Sequence, residues 1–173
     1  MTRIIGVCGF KNAGKTTLVE KLVQHLTALG YKISTVKHAH HDFDIDHEGR
    51  DSFRHRKAGA FEVAVISQNR YAIMNELRGA TPPTLEEILA KLSLCDLVIV
   101  EGYKRDNHAK IEVRNLDLDH PELAGTDPSI VAVAANGLCN APVPVFSRDD
   151  VQALAQFIIV QQGLAQPGLS ENG

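Results

Sequence analysis

Short runs of apolar residues alternate along the chain with stretches in which apolar residues recur every three or four positions. The first apolar run, from Ile4 to Cys8, precedes a helical pattern from Thr16 to Leu29, and Gly30 is placed to end that helix. A second strand is predicted from Tyr31 to Val36, and the continuous apolar run from Leu97 to Val100 is typical of a central strand covered on both faces. This alternation predicts an α/β protein with a mostly parallel sheet and helices on both faces.

A short helix and a hairpin are predicted in the middle of the chain. The helix runs from Asp51 to Ala58, and the strand-like runs from Phe61 to Ile66 and from Arg70 to Met74 predict a β-hairpin attached to the main sheet. The edge of an exposed hairpin carries unpaired backbone groups that invite pairing with another chain. Residues 61–76 are therefore predicted to join two copies of the chain in a homodimer.

The remaining patterns complete the predicted sheet. They indicate a helix behind a capping box formed by Thr84 and Glu87, a more exposed strand from Lys110 to Arg114, a buried strand from Ile130 to Ala134 and a short strand from Val143 to Phe146. A last helix is predicted from Asp149 to Gln162, with Ser147 or Asp149 as its cap. Residues 1–163 are expected to form a single domain, and residues 164–173 a disordered tail.

The composition narrows the classes of function. The chain has 173 residues, of which 44% are hydrophobic and 23% charged, as expected for one soluble globular domain. A net charge of -3 gives no support for sequence-independent nucleic-acid binding. Neither a signal peptide nor an apolar run long enough to span a membrane is expected, and Cys8, Cys95 and Cys139 are scattered without metal-ligand spacing. We therefore expect a cytoplasmic protein.

One motif carries strong chemical meaning. Residues 9–16 have the pattern G-x-x-x-x-G-K-[ST], placed between a predicted strand and a predicted helix, and this pattern predicts the phosphate-binding loop of a P-loop NTPase. Lys15 would reach the outer phosphates as a cation, and the Thr16 hydroxyl would take one position on Mg²⁺. The residues predicted to bind the nucleotide are Gly9, Asn12, Ala13, Gly14, Lys15, Thr16 and Thr17.

A segment rich in histidine and aspartate follows the second predicted strand. In a phosphate-loop nucleotidase this position would hold a switch-like loop over the terminal phosphate. Three interpretations stay open: a nucleotide-sensing loop in which an aspartate touches Mg²⁺ and a histidine touches phosphate or substrate, a transition-metal site built from imidazoles, or a solvated loop without a ligand. The candidate residues are Lys37, His38, His40, His41, Asp42, Asp44, Asp46, His47 and Asp51, with Asp42 the candidate Mg²⁺ ligand.

Glu101 is the second strong candidate, since it ends the most apolar strand of the chain. A carboxylate at the carboxyl end of a buried parallel strand can hold a Mg²⁺-bound water. Glu101 is therefore predicted to act in catalysis with Lys15 and to hold metal with Thr16. Lys104 is a candidate contact for a second phosphorylated ligand, whereas Asp96 stands at the opposite end of the strand and should face away from the nucleotide.

The chain contains G-x-x-x-x-G-K-T-T-L at 9 to 18, K-H-x-H-H-x-x-D-x-D at 37 to 46, G-x-D-S at 49 to 52, R-K-A-G-A at 56 to 60 and V-E-G-Y-K at 100 to 104. Together these motifs resemble the molybdopterin-guanine dinucleotide biosynthesis adapter family. The resemblance covers residues 4 to about 162, and its most specific parts are the histidine-rich block and R-K-A-G-A.

The resemblance implies a GTP-binding α/β protein with weak GTPase activity, commonly a dimer. Such a protein would assist the transferase that attaches GMP to molybdopterin, with GTP and Mg²⁺ as cofactors and molybdopterin itself as a further candidate ligand. By that resemblance, Gly9 and Asn12 to Thr17 form the nucleotide loop, Lys37, His38, Asp42, Asp44, Asp46 and Asp51 form the motif after the second strand, and Glu101, Gly102 and Lys104 form the Walker B-like end.

Two departures leave an alternative open. No N-K-x-D motif for reading guanine occurs in the chain, so a preference for GTP over ATP is implied by the resemblance alone. Lys11 lies one place away from the signature lysine of the deviant Walker A class and receives no catalytic role.

The alternative function is a metal-insertion GTPase of the nickel-chaperone kind that uses the histidines between residues 38 and 47.

Overall fold

Strands and helices alternate along most of the chain in the structure, a computed structural model that describes residues 2–39 and 43–167. In chain order the elements are β1 (Ile4–Cys8), α1 (Lys15–Ala28), β2 (Ile33–Lys37), α2 (Asp51–Lys57), β3 (Glu62–Ile66), β4 (Tyr71–Asn75), α3 (Leu85–Leu89), β5 (Leu97–Glu101), β6 (Lys110–Arg114), β7 (Ile130–Ala135), β8 (Val145–Ser147) and α4 (Val151–Gln162). They fall into two compact units: a sheet unit, Met1–His38 with Lys91–Gly173, and a hairpin unit, Ala39–Ala90.

The sheet unit is built on six strands in the order β2-β5-β1-β6-β7-β8. All of its strand pairs are parallel. β5 lies between β1 and β2, and its residues from Leu97 to Val100 are buried, as the continuous apolar run predicts. The α/β fold with a parallel sheet is confirmed, and the carboxyl ends of β1, β2 and β5 meet at one edge.

One face of the sheet carries both long helices. Leu22 of α1 and Leu154 of α4 are fully buried in one cluster with Ile5 and Val7 of β1. Neighbouring Cys8 belongs to a second, smaller cluster, where Leu123, Cys139 and other residues outside the helices pack against it. Because side chains alternate between the faces of a strand, the second cluster lies on the opposite face. In the sheet unit both long helices therefore lie on one face.

β6 is a central strand, so the prediction that it is more exposed is wrong. All five of its residues are buried, including the alternating charged ones. Glu112 accepts hydrogen bonds from the backbone N–H groups of Leu123 and Ala124 and from Arg114 at 2.9 Å. The ammonium of Lys110 bonds Ser129 and two further oxygen atoms. The charged residues are tolerated inside because each has polar partners.

The ends of the sheet unit differ from the prediction in two details. The cap of α4 is Asp150, whose side chain accepts the N–H of Ala153 at 3.0 Å, rather than Ser147 or Asp149. Packed structure also continues beyond Gly163, because Leu164 is buried in the main core. Residues 168–173 of the predicted tail lie outside the described residues.

The hairpin unit has its own two-stranded antiparallel sheet, β3 with β4. The hairpin is confirmed, but its strands pair with each other and not with the six-stranded sheet. α2 is confirmed close to its predicted bounds, and the capping box of α3 is confirmed by both of its hydrogen bonds between Thr84 and Glu87. Within residues 2–39 and 43–167, no helix combines the length and the apolar character needed to cross a membrane.

Candidate nucleotide-binding site

The loop between β1 and α1 contains three residues with positive φ angles. Gly9 and Gly14 have φ angles of 140° and 97°, and Asn12 has a φ of 63°. A Cβ on Gly9 would lie 2.5 Å from the backbone oxygen of Val113, so only glycine lets the loop approach β6 this closely. Ala13 is buried, which anchors the middle of the loop to the core.

Lys15 is held by the loop itself. Its ammonium donates to the backbone oxygen of Phe10 at 2.7 Å, so the side chain curls back over the loop. Burial and, next, the positive charge of Lys104 lower the pKa of Lys15 below its usual value, while Glu101 opposes the shift. An anion in the loop would relieve both unfavourable effects, because it supplies the negative charge that a partly buried ammonium lacks.

Thr16 and Glu101 meet where the sequence places a metal. The Thr16 hydroxyl donates to Glu101 Oε1 at 3.0 Å. Lys37 reaches the same two groups: its Nζ lies 3.3 Å from Glu101 Oε1 and 3.5 Å from Thr16 Oγ1. These contacts join the ends of β2 and β5 to the first turn of α1, so three residues predicted separately from the sequence form one cluster.

The chain is strained just after Glu101. Gly102 has a φ of 102° and Tyr103 a φ of 47°, which is rare for a large aromatic residue. A Cβ on Gly102 would lie 2.9 Å from the Cβ of His38, and the rings of His38 and Tyr103 meet edge to face at 4.9 Å. The His38 N–H also donates to the backbone oxygen of Glu101 at 2.9 Å. His38 thus fixes the strand end that aims the Glu101 carboxylate at Thr16.

The other side of the loop carries an aromatic cluster that the sequence does not reveal. Phe10 stacks on the ring of His120 at 5.0 Å, and the Lys104 ammonium lies 4.5 Å from the Phe10 ring centre. His120 Nε2 is also 3.3 Å from the backbone oxygen of Lys11. No sequence pattern connects His120 to residues more than a hundred positions earlier. Lys104 therefore has a partner in the loop itself, beyond the phosphorylated ligand that the sequence suggests.

Arg148 is a second site residue that sequence reasoning missed. Its guanidinium donates to the backbone oxygen of Ala13 at 2.6 Å and lies against Gly14. Arg148 follows β8, so the rule that ligands collect beyond the carboxyl ends of strands could have found it. A depression of about 150 Å³ adjoins the loop here, lined by Gly14, Thr17, Leu18, Lys21, Arg148 and Asp149.

The aspartates after the second strand have a different environment within the hairpin unit. Asp44 and Asp46 both pair with Arg56, which also pairs with Glu76 at 2.7 Å. The hydrogen bond from Arg56, together with a backbone bond, holds the pKa of Asp44 below its usual value. Asp51 is exposed at the start of α2. The structure thus gives Asp44 and Asp46 a partner, Arg56, that no motif indicated.

Three further predicted residues, His40, His41 and Asp42, lie outside the described residues. Within residues 2–39 and 43–167, no three histidine, cysteine, aspartate or glutamate side chains are grouped closely enough to hold a metal ion. The transition-metal interpretation of the histidine-rich segment stays a prediction.

Comparison with known proteins gives one consistent result. A family model described as MobB, molybdopterin guanine dinucleotide synthesis protein B, matches residues 4–136. The molybdopterin-guanine dinucleotide biosynthesis adapter protein of Escherichia coli is 36% identical over 162 residues, which cover 92% of this chain and 93% of that protein. The protein of the same name from Haemophilus influenzae is 34% identical over 157 residues, covering 90% of this chain and 86% of that protein.

The fold has a matching counterpart among solved structures. The crystal structure of a MobB protein homolog from Bacillus stearothermophilus superposes with a TM-score of 0.68 at 26% identity. The match covers 92% of this chain and 97% of that one.

Proposed function

Because the chain belongs to the molybdopterin guanine dinucleotide synthesis protein B family, we propose that it is a GTP-binding adapter in the assembly of the molybdenum cofactor. In this proposal the GTP-bound protein assists the transferase that attaches GMP to molybdopterin. The relatives named as biosynthesis adapter proteins support the pathway. The observation that carries nucleotide binding is the loop of residues 9–16, with the Thr16 hydroxyl 3.0 Å from the Glu101 carboxylate.

Different residues in and beside the loop would contact different parts of the nucleotide. The backbone N–H groups at the start of α1 would face the phosphates, and the helix dipole there favours negative charge. Lys15 exchanges its bond to the Phe10 oxygen for a charge-assisted bond to the outer phosphates. Arg148 adds a positive charge beside Gly14 and the depression next to the loop. A preference for guanine rests on the family resemblance.

Glu101 at the end of β5 and Thr16 in the first turn of α1 fit a magnesium ion. Thr16 and Glu101 offer hard oxygen donors, and Mg²⁺ prefers one or two such protein ligands with water and phosphate as the rest. Bound there, Mg²⁺ would neutralise part of the phosphate charge during phosphoryl transfer. Glu101 would accept a proton from a bound water, and Thr16 would supply its hydroxyl oxygen.

Any hydrolysis is expected to be slow. In the reaction, water forms a bond to the terminal phosphorus, the bond to the β-phosphate oxygen breaks, and GDP and phosphate leave. Ras-like GTPases orient the attacking water with a glutamine at this step. Neither residues 37–51 nor residues 100–105 contain a glutamine. Slow turnover suits a protein whose bound nucleotide state, and not its product, is what a partner recognises.

The hairpin is proposed as the dimer surface. Its register places Ile66 opposite Tyr71 and Ala64 opposite Ile73 on one face. Ile66, Tyr71 and Ile73 are 78%, 68% and 58% exposed, which leaves an apolar face open within the hairpin unit. A second copy would bury this face, since exposed apolar patches of this kind mark interaction surfaces.

Isothermal titration calorimetry with GTP, GDP and ATP tests the proposal. We expect the wild-type chain with Mg²⁺ to bind GTP more tightly than ATP, and Lys15→Ala to lose GTP affinity. Lys11→Ala is the matched control, because Lys11 is exposed in the same loop and should leave affinity unchanged. Unchanged GTP affinity in Lys15→Ala would show that the loop is not the nucleotide site.

A further inference from the structure

The ammonium of Lys37 lies close to Glu101 Oε1 and Thr16 Oγ1, the two oxygen atoms proposed to bind Mg²⁺. Lys37 Nζ is 3.3 Å from Glu101 Oε1 and 3.5 Å from Thr16 Oγ1, while the Thr16 hydroxyl donates to the same Glu101 oxygen at 3.0 Å. The three groups form a closed triangle. Within it, Lys37 supplies the positive charge that balances Glu101.

The strand register brings Lys37 there. β2 is an edge strand of the sheet, and its last residue, Lys37, stands directly opposite Glu101, the last residue of β5. The two side chains differ in freedom: 59% of the lysine side chain is exposed against 12% of the glutamate side chain. The carboxylate is therefore fixed, and the lysine, with its flexible four-carbon stem, can swing away.

The position of Lys37 creates a competition between two cations. Mg²⁺ needs a lone pair of the Thr16 hydroxyl oxygen, and Lys37 Nζ is placed to donate to that same oxygen. An ammonium and a divalent cation on the same pair of oxygen atoms repel each other. Lys37 must therefore leave the triangle when a magnesium–nucleotide complex binds.

We propose that Lys37 moves from Glu101 to the terminal phosphate of the bound nucleoside triphosphate and so distinguishes GTP from GDP. This inference rests on the proposed function. Lys37 needs a new anion when it leaves Glu101, and the terminal phosphate is the anion that lies beside a metal bound at Thr16. With GDP there is no terminal phosphate, so Lys37 gains no new partner and continues to compete at Thr16.

His38 connects Lys37 to the end of β5. Lys37 is followed by His38, which packs on Gly102 and Tyr103 at the end of β5. A movement of Lys37 therefore acts directly on the start of the histidine-rich segment. His38 would then take one position with a triphosphate and another with a diphosphate, which is what a partner protein needs in order to sense the bound nucleotide.

Calorimetric titrations of GTP and GDP into wild type, Lys37→Met and Lys37→Gln test this inference. Both variants are expected to lose about tenfold or more in GTP affinity, the effect of one charge-assisted hydrogen bond. Their GDP affinity should be unchanged or higher, and half-maximal GDP binding should need less Mg²⁺. Lys32→Met is the matched control, because Lys32 is exposed just before the opposite end of β2.

Circular dichroism establishes that the variants are folded, as expected for an exposed side chain. If GTP and GDP affinities stay unchanged in both Lys37 variants, or fall by the same factor, the inference is wrong while the proposed function stands. If the wild-type chain binds neither nucleotide in the presence of Mg²⁺, both are wrong.

Discussion

Replacing Gly9 by alanine tests whether the loop conformation depends on its close approach to β6. Gly9 has a φ of 140°, and a Cβ there would lie 2.5 Å from the backbone oxygen of Val113. Gly125 in the same unit is the matched control: its φ is 98°, but the nearest atom to its Cβ would be Pro142 Cγ at an ordinary 3.5 Å. Gly125→Ala therefore adds backbone strain only, whereas Gly9→Ala adds both strain and a clash with backbone.

The expected losses differ in size. A non-glycine residue in a sparsely populated backbone region costs about 1–3 kcal/mol, which is the expected loss for Gly125→Ala. Forcing extra volume into a packed site adds about 1–3 kcal/mol, so Gly9→Ala should lower the free energy of unfolding by roughly 2–6 kcal/mol. Val113 belongs to the central strand β6 and is 2% exposed, so it cannot move aside easily.

Equilibrium urea unfolding measures both losses of unfolding free energy. The comparison holds if the slope of the unfolding free energy against urea concentration is the same as in wild type. Nucleotide affinity gives a second readout, since only Gly9→Ala should weaken GTP binding. Equal losses of stability in the two variants would refute the reasoning, because they would show that the Val113 contact adds nothing.

Three other changes test separate parts of the account. Asp150→Ala removes the cap of α4 and should cost about 1 kcal/mol in urea unfolding, whereas Asp149→Ala leaves the cap bond in place. Burial lowers the pKa of His108, so below pH about 6.5 the unfolded chain takes up a proton that the folded chain resists. The free energy of unfolding should therefore fall as the pH is lowered, and it should fall less in His108→Phe. The same slope of unfolding free energy against pH in both proteins would contradict this. Ile73→Lys should shift the sedimentation coefficient toward that of the monomer. Leu94→Lys should not, because Leu94 is also an exposed apolar residue but lies outside the hairpin.

The parallel sheet and the loop could be predicted from the sequence because both depend on local patterns. The loop motif, the apolar run of β5 and the capping box of Thr84 are each contained within a few consecutive residues. β6 was predicted incorrectly because its charged residues alternate with apolar ones, a pattern that usually indicates a strand with one exposed face. Glu112 is satisfied by the backbone N–H groups of Leu123 and Ala124. These partners lie eleven and twelve positions away in the sequence, and no sequence pattern indicates them.

In the candidate site, too, local sequence patterns predict some residues, whereas contacts that depend on the fold could not be predicted. Lys15, Thr16 and Glu101 could be predicted because a motif or a strand end identifies each of them. The contact of Lys37 with Thr16 and Glu101 could not, because it depends on β5 lying between β1 and β2. Sequence order alone would place β2 next to β1. Strand order is set by how the whole unit packs, and a pattern of neighbouring residues does not contain it.

In the proposed function, the partner transferase recognises the triphosphate-bound state of this protein. The most direct measurement is the affinity between the chain and the GMP transferase, taken by biolayer interferometry with GTP, with GDP and without nucleotide. The account predicts association that is tightest with GTP and Mg²⁺ and is weakened by Lys15→Ala. Equal affinity under all three conditions, or no association under any of them, would contradict it.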